Sequence, residues 1–111
     1  MVPVSLSSPA TLPALPAAVE IAAYRIITEA VTNVTRHASA TGCQVTIACA
    51  GQLTLEIRDD GTGDQHWPPG VGLASMRERA TALGGTWCAG PTATGGRVFV
   101  ELPLSLAGGR A

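Results

Sequence analysis

The chain has 111 residues, enough for one small domain, and a composition that is 46% apolar and 14% charged predicts that it folds. Seven basic and eight acidic residues leave a net charge of −1, which argues against generic nucleic-acid binding because such binding needs a basic surplus. All seven basic residues are Arg, so chemistry that needs a Lys amine, such as a Schiff base or a Walker-type phosphate lysine, is excluded.

The first third of the chain predicts a strand and a long helix. Alternating apolar side chains at residues 2–6 indicate a short edge strand, and a connector rich in Ser, Pro and Ala follows over 7–16. A helix is predicted over 17–38, because apolar residues recur at helical spacing and form one stripe: Ala23, Ile27, Ala30 and Val34.

The remainder predicts four strands and a second helix. Strand-like runs are separated by turn residues, and apolar side chains return to helical spacing after a Gly- and Pro-rich loop over 60–72. The predicted strands cover 44–49, 53–59, 86–88 and 97–102, and the predicted helix covers 73–83, with Gly84 and Gly85 ending it.

This order of elements predicts an α+β fold. We expect a two-layer α/β sandwich in which two helices pack on one face of a mixed sheet. The opposite face is expected to be solvated, because Thr54, Glu56 and Arg58 share one side of their strand. The domain is predicted to span 1–106, with a flexible tail over 107–111.

Membrane and redox signals are weak. No run of about 18 apolar residues and no secretory leader pattern is present, so we expect no membrane span. The three Cys residues form no C-x-x-C pair, and Cys43 and Cys49 are expected to be small hydrophobic residues in a reducing compartment. These features favour a cytoplasmic location.

Three polar residues form a ladder on the first predicted helix. Glu29, Asn33 and His37 are spaced four residues apart and lie on one flank, with Arg36 beside them. An amide oxygen suits Mg²⁺, which takes few protein ligands together with waters and phosphates, and a carboxylate one turn away could position or deprotonate a water. The alternative is an ordinary solvated helix face, with His37 interacting with the helix dipole.

An acidic residue ends the second strand of the central pair. Asp59 continues the side of the strand that carries Leu55 and Ile57, so it is predicted to point towards the core, where a carboxylate needs a partner. Gly61 and Gly63 follow and leave room for a ligand to approach the backbone. Such an acceptor suits the exocyclic amine of adenine, whereas an Asx turn satisfied by local N–H groups is the alternative.

Gly70 and Gly72 come directly before the second predicted helix. Free backbone N–H groups and the positive end of the helix dipole make such a position suitable for phosphate. The alternative is a helix entry that uses Gly only for its turn. For Arg77 and Arg79, solvated charges are a better interpretation than phosphate ligands.

Together these segments resemble a known family. Residues 24–38, YRIITEAVTNVTRHA, resemble the N box of bacterial sensor histidine kinases of the nitrate-sensor type. The DDGTG run at 59–63 resembles their first glycine box, and GVGLASMRERA at 70–80 resembles the second. GGRV at 95–98, leading to LPL at 102–104, is similar to the last glycine box and closing strand.

The resemblance implies a fold and roles for individual residues. The family has the Bergerat ATP-binding fold of the GHKL superfamily, with an ATP lid that would correspond to about residues 64–71. Asn33 would coordinate Mg²⁺, Glu29 would be the catalytic acidic group near the phosphates, and Asp59 would bind the adenine amine. The other implied nucleotide contacts are Arg36, His37, Gly61, Gly63, Gly70, Gly72, Leu73 and Gly96.

The resemblance also implies a function. We expect the catalytic domain of a two-component sensor kinase, which binds Mg·ATP and donates the γ-phosphoryl group to a His on a separate dimerisation and phosphotransfer domain. A response regulator would be an indirect partner, and no contact with nucleic acid or membrane is expected. Because the phospho-accepting His is expected on a segment outside this sequence, the chain should bind nucleotide without autophosphorylation.

Two other functions remain open on the sequence. One is a serine/threonine kinase of the anti-sigma type, which has the same fold. The other is a catalytically silent, nucleotide-dependent interaction module. An α/β domain without any ligand would require four motifs in family order to coincide by chance.

Overall fold

A computed structural model of the chain describes residues 2–37, 40–61 and 73–104. Five strands and two helices lie within these ranges, in the predicted order. They are β1 (Val4–Ser7), α1 (Ala17–His37), β2 (Cys43–Cys49), β3 (Gln52–Asp59), α2 (Leu73–Ala82), β4 (Thr86–Thr92) and β5 (Gly95–Pro103).

The strands form one mixed sheet in the order β1-β2-β3-β5-β4. β1 is parallel to β2, and the other three pairs are antiparallel. Both helices contact the sheet, α1 at its centre and α2 at the β4–β5 side, and they also contact each other. The predicted α+β sandwich is therefore confirmed.

Helix α1 begins directly after Pro16, whose carbonyl accepts a hydrogen bond from the Glu20 N–H at 3.0 Å. Its buried residues recur every three or four positions, which places them on one face towards the sheet. This face carries small and branched side chains: Val19, Ala22, Ala23, Ile26, Ala30 and Val34. The small residues allow the helix to pack closely on the sheet.

Helix α2 ends in a Schellman motif. The Gly84 N–H bonds to the Thr81 carbonyl at 3.0 Å and the Gly85 N–H bonds to the Ala80 carbonyl at 2.9 Å. Gly84 has a φ of +82°, a conformation that side-chain-bearing residues adopt only with strain. Gly84 and Gly85 therefore end the helix as predicted, and they do so through these two hydrogen bonds.

The core lies between the helices and the inward side of the sheet. Side chains alternate along the central strands, and every inward apolar residue of β3 and β5 is at most 1% exposed. The inward set comprises Leu53, Leu55, Ile57, Val98, Val100 and Leu102. Met76 and Ala80 of α2 pack against it.

The outward side of the sheet carries an ionic cluster. Glu56 accepts a hydrogen bond from Arg97 Nε and lies 3.3 Å from Arg58 Nε. The Arg97 guanidinium lies 4.7 Å from the centre of the Phe99 ring. The Arg97 hydrogen bond is the main cause that holds the pKa of Glu56 below its usual value. The predicted polar face is thus a network that links β3 to β5.

The last hairpin is longer than predicted. β4 continues to Thr92 rather than residue 88, and β5 begins at Gly95 rather than residue 97. Gly90 and Pro91 were interpreted as turn residues, yet both pair with β5. Pro is tolerated there because β4 is an edge strand, where a missing N–H costs no ladder bond on the open side.

The ends of some predicted segments lie outside the described residues. These are most of the predicted 60–72 loop, the last predicted residue of the first helix and the predicted tail over 107–111. No helix within the described ranges is both long and apolar enough to cross a membrane.

Candidate nucleotide-binding site

The candidate site lies where β3 ends, between the start of β5 and the start of β2. Asp59 is the last residue of β3 and is 7% exposed, on the same inward side as Leu55 and Ile57. The side predicted from strand alternation is the side observed. A carboxylate is thus placed at the edge of an apolar core, beneath the helix layer.

One oxygen of Asp59 is satisfied by the backbone. Oδ1 accepts hydrogen bonds from the Gly61 N–H at 2.7 Å and the Gly96 N–H at 3.2 Å. The Gly61 bond is the Asx turn that the sequence left as an alternative, and the Gly96 bond ties the carboxylate to β5. These two bonds fix the orientation of the carboxylate plane.

The second oxygen of Asp59 is buried and has no hydrogen-bond partner among the described residues. A buried unpaired acceptor is costly, and a native structure that keeps one commonly reserves it for a ligand or a water. An Asx turn alone would leave this atom unexplained. It can accept a hydrogen bond from a donor such as an exocyclic amine.

Gly95 packs against the backbone of Asp59. A Cβ atom on Gly95 would lie 1.9 Å from the Asp59 carbonyl oxygen, and its φ of +147° also disfavours a side chain. Together with the Gly96 N–H bond, this contact explains the two consecutive glycines at the start of β5. They let β5 approach closely enough to hold the carboxylate.

Cys43 lies directly opposite Asp59 in the β2–β3 ladder and is 4% exposed. Burial, and secondarily the negative charge of Asp59, raises the pKa of the Cys43 thiol to about 11. The thiol is therefore protonated and unreactive at neutral pH. Cys43 is buried as predicted, whereas Cys49 is half-buried at the opposite end of β2.

Asp60 points away from Asp59 and contacts the segment before β2. Its Oδ1 accepts hydrogen bonds from the Thr41 N–H at 2.8 Å and the Gly42 N–H at 3.0 Å, and its Oδ2 accepts one from the Thr41 hydroxyl. These bonds, the hydroxyl first, lower the pKa of Asp60 below its usual value. Sequence reasoning missed this role.

The polar ladder of α1 is only partly solvated. Asn33 is 2% exposed, so a fully solvated helix face is wrong for this residue. Glu29 is half-buried, and Arg36 is exposed in the last turn. His37 ends the helix, and its side chain lies outside the described part of the structure.

Several sequence-predicted site residues cannot be compared with the structure. Gly63, Gly70, Gly72 and the predicted lid over 64–71 lie outside the described residues, as does the side chain of Leu73, the first residue of α2. Within α2, Arg77 lies 5.5 Å from the centre of the Trp87 ring. This distance is that of a cation–π contact between α2 and β4.

Comparison with known proteins identifies the family. A sequence profile of the histidine kinase-, DNA gyrase B- and HSP90-like ATPases matches residues 18–106. The chain belongs to this family. The match contains α1, Asp59 and both glycines of β5.

Curated relatives are sensor proteins. The chain is 35% identical over 98 residues to the sensor protein VraS of Staphylococcus epidermidis, covering 82% of this chain and 28% of VraS. It is 44% identical over 78 residues to the nitrate/nitrite sensor protein NarQ of Escherichia coli, covering 66% of this chain and 14% of NarQ. The chain thus spans less than a third of these relatives, which do not single out the nitrate-sensor type.

A solved structure supports the same assignment. The ATP binding domain of PrrB from Mycobacterium tuberculosis superposes with a TM-score of 0.66 and 26% identity. The superposition covers 94% of this chain and 81% of the PrrB domain. The fold is therefore that of a histidine kinase ATPase domain.

Proposed function

We propose that this domain binds Mg·ATP and donates the γ-phosphoryl group to a His on the dimerisation domain of a two-component sensor kinase. The observation that carries the proposal is the buried Oδ2 of Asp59, which has no hydrogen-bond partner among the described residues, while Gly61 and Gly96 hold Oδ1 of the same carboxylate. Membership of the ATPase family and the sensor-protein relatives support it.

The adenine half of the site is proposed at Asp59. The exocyclic amine of adenine donates to Oδ2, a pairing that a guanine carbonyl at the same position would not make. Because Oδ1 is already held by two backbone N–H groups, the carboxylate does not need to reorganise when the base binds. Gly61 and Gly96 form the wall next to the base.

The phosphate half is proposed along the C-terminal half of α1. Asn33 offers an amide oxygen that suits Mg²⁺, and Glu29, one turn earlier, acts as the acidic group near the phosphates. Mg²⁺, when bound, neutralises phosphate charge. The proposed phosphate and nucleotide contacts outside Asp59 are Arg36, His37, Gly63, Gly70, Gly72 and Leu73.

The proposed setting is a longer kinase. The proposed partners are the dimerisation and phosphotransfer domain of the same kinase and, indirectly, a response regulator. The domain boundary at residue 106 and a cytoplasmic location belong to this proposal.

Calorimetric titration with ADP, with Mg²⁺ and with EDTA, tests the nucleotide site. We expect the parent chain to bind Mg·ADP, Asp59→Asn to weaken binding at least about tenfold, and Asn33→Ala to reduce the benefit of Mg²⁺. Glu56→Gln is the matched control for Asp59→Asn, because it makes the same acid-to-amide change on the outward face of β3. Equal loss in Asp59→Asn and Glu56→Gln would contradict the adenine assignment.

Phosphoryl transfer is tested separately with γ-labelled ATP and a histidine-kinase dimerisation domain added in trans. Acid-labile label on a His of that domain is the expected result. Label on Ser of an antagonist protein would instead indicate the anti-sigma type, and nucleotide binding without any transfer would indicate an interaction module.

A further inference from the structure

The carboxylate of Asp60 connects the residue after β3 to the segment before β2. It accepts three hydrogen bonds from Thr41 and Gly42, which lie 19 and 18 residues earlier in the chain, respectively. Two of the donors are consecutive backbone N–H groups that converge on Oδ1. These bonds stabilise the ionised carboxylate of Asp60 and lower its pKa below the usual value, so the group is ionised at neutral pH.

The bridge begins where the β2–β3 ladder ends. Cys43 and Asp59 are the last registered pair, and two residues further on the Gly61 N–H bonds to Asp59 Oδ1. The side chain of Asp60 then holds Gly42 and Thr41 in place of main-chain bonds. The link between the two segments therefore extends beyond the sheet through one side chain.

The segment held by Asp60 is the connection from α1 to β2. Val34 is the last buried apolar residue of α1, and Thr35 and Arg36 after it are exposed. Val34 therefore anchors the start of the last turn, and the described side chains after it add no core packing. Asp60 holds the chain at Thr41 and Gly42, four and five residues after the end of α1.

We propose that Asp60 is a positioning residue for the nucleotide. Its carboxylate fixes the last turn of α1, with Arg36 and His37, relative to the neighbouring Asp59. The proposal rests on the proposed function, in which Asp59 meets the adenine and the last turn of α1 meets the phosphates. Adjacent carboxylates then serve the two ends of one ligand, Asp59 by contact and Asp60 through the α1–β2 connection.

Titration of the ¹⁵N-labelled chain with ADP and with AMP, each with Mg²⁺, tests the role of Asp60 by NMR. AMP retains the adenine but lacks the terminal phosphate, so the ratio of the two affinities isolates the phosphate half of the site. We expect Asp60→Ala to lower the affinity for ADP about tenfold and to leave the affinity for AMP within about twofold of the parent. A purely structural effect would weaken both nucleotides alike.

Two further variants refine the result. Asp60→Asn keeps an oxygen that can accept hydrogen bonds from Thr41 and Gly42, so it should retain most of the parent's ratio of ADP to AMP affinity. Thr41→Val removes only the hydroxyl donor. Glu20→Ala, an exposed carboxylate in the first turn of α1, is the control and should leave both affinities unchanged. The Thr41 and Gly42 amide signals should move in Asp60→Ala and stay in Glu20→Ala.

The possible failures are distinguishable. If the parent chain binds neither nucleotide, the proposed function fails and the role of Asp60 fails with it. In a second outcome the parent binds both nucleotides, and Asp60→Ala keeps the parent's ratio of ADP to AMP affinity although the Thr41 and Gly42 signals move. Only the positioning role is then overturned. An equal loss of ADP and AMP affinity overturns it as well.

Discussion

Neighbouring acidic residues at the end of β3 have opposite environments. Asp59 is buried beside Cys43 and keeps one oxygen without a described partner, whereas Asp60 is exposed and fully engaged by Thr41 and Gly42. Strand alternation sends the two carboxylates to different sides, so one acidic pair supplies both the proposed ligand acceptor and a structural bridge.

The Cys43 thiol is expected to make the stability of the domain depend on pH in the alkaline range. Its pKa is about 11 in the folded chain against an ordinary value of 9.0, so the unfolded state loses this proton first as the pH rises. We expect the free energy of unfolding to fall between about pH 9 and 11 by up to about 3 kcal/mol. Urea unfolding at a series of pH values measures this decline.

Variants assign the alkaline decline to Cys43. Cys43→Ala should remove most of the slope, and Cys88→Ala, at an exposed Cys, should retain it. The absence of Lys from the chain leaves few other groups that titrate in this range. The same slope in Cys43→Ala as in the parent would refute the assignment.

At the scale of elements, the β4–β5 hairpin is shaped to support Asp59. Its inner end brings Gly95 against the Asp59 carbonyl and places the Gly96 N–H on the Asp59 carboxylate. On the outward face of the sheet, Arg97 of β5 donates a hydrogen bond to Glu56 of β3. β3 and β5 are therefore joined by side-chain contacts on both faces of the sheet as well as by their ladder.

Gly95→Ala should strongly destabilise the domain. The added Cβ meets the Asp59 carbonyl oxygen and the backbone is strained, which we expect to cost about 3 kcal/mol and to weaken nucleotide binding. Gly90→Ala, in the same hairpin, is the control, because its Cβ would meet no atom within 4 Å. Thermal unfolding of both variants measures the difference, and equal transitions would contradict it.

The Glu56 cluster should contribute an acid signature. The pKa of Glu56 in the folded chain lies below the ordinary value of 4.5. The stabilisation of the fold by Glu56 is therefore present above pH 4.5 and is lost as the pH falls through the folded pKa. Glu56→Gln should flatten this acid decline by up to about 1 kcal/mol. Glu101→Gln, on the same face, is the control, because Glu101 bonds to the Thr86 hydroxyl rather than to Arg.

At the scale of the whole molecule, hydrophobic periodicity was sufficient to predict the elements, their order and the side of β3 that carries Asp59. The length of β4 was not predicted, because Gly90 and Pro91 favour a turn locally and only their position on a sheet edge permits pairing. The Asp60 bridge and the Gly95 contact were also missed. Both depend on residues distant in sequence, which no local pattern brings together.

The parallel edge strand has a consequence for how the chain folds. β2–β3 and β4–β5 are hairpins whose partners are close in sequence, whereas Ser5 of β1 meets Gln44 of β2 across 39 residues that include the whole of α1. Closing so long a loop costs more chain entropy than closing a hairpin. β1 offsets little of this cost, because it has only four residues and all of them are exposed. We therefore expect β1 to join the sheet after its neighbours have formed, and to be the first strand to detach when the domain opens.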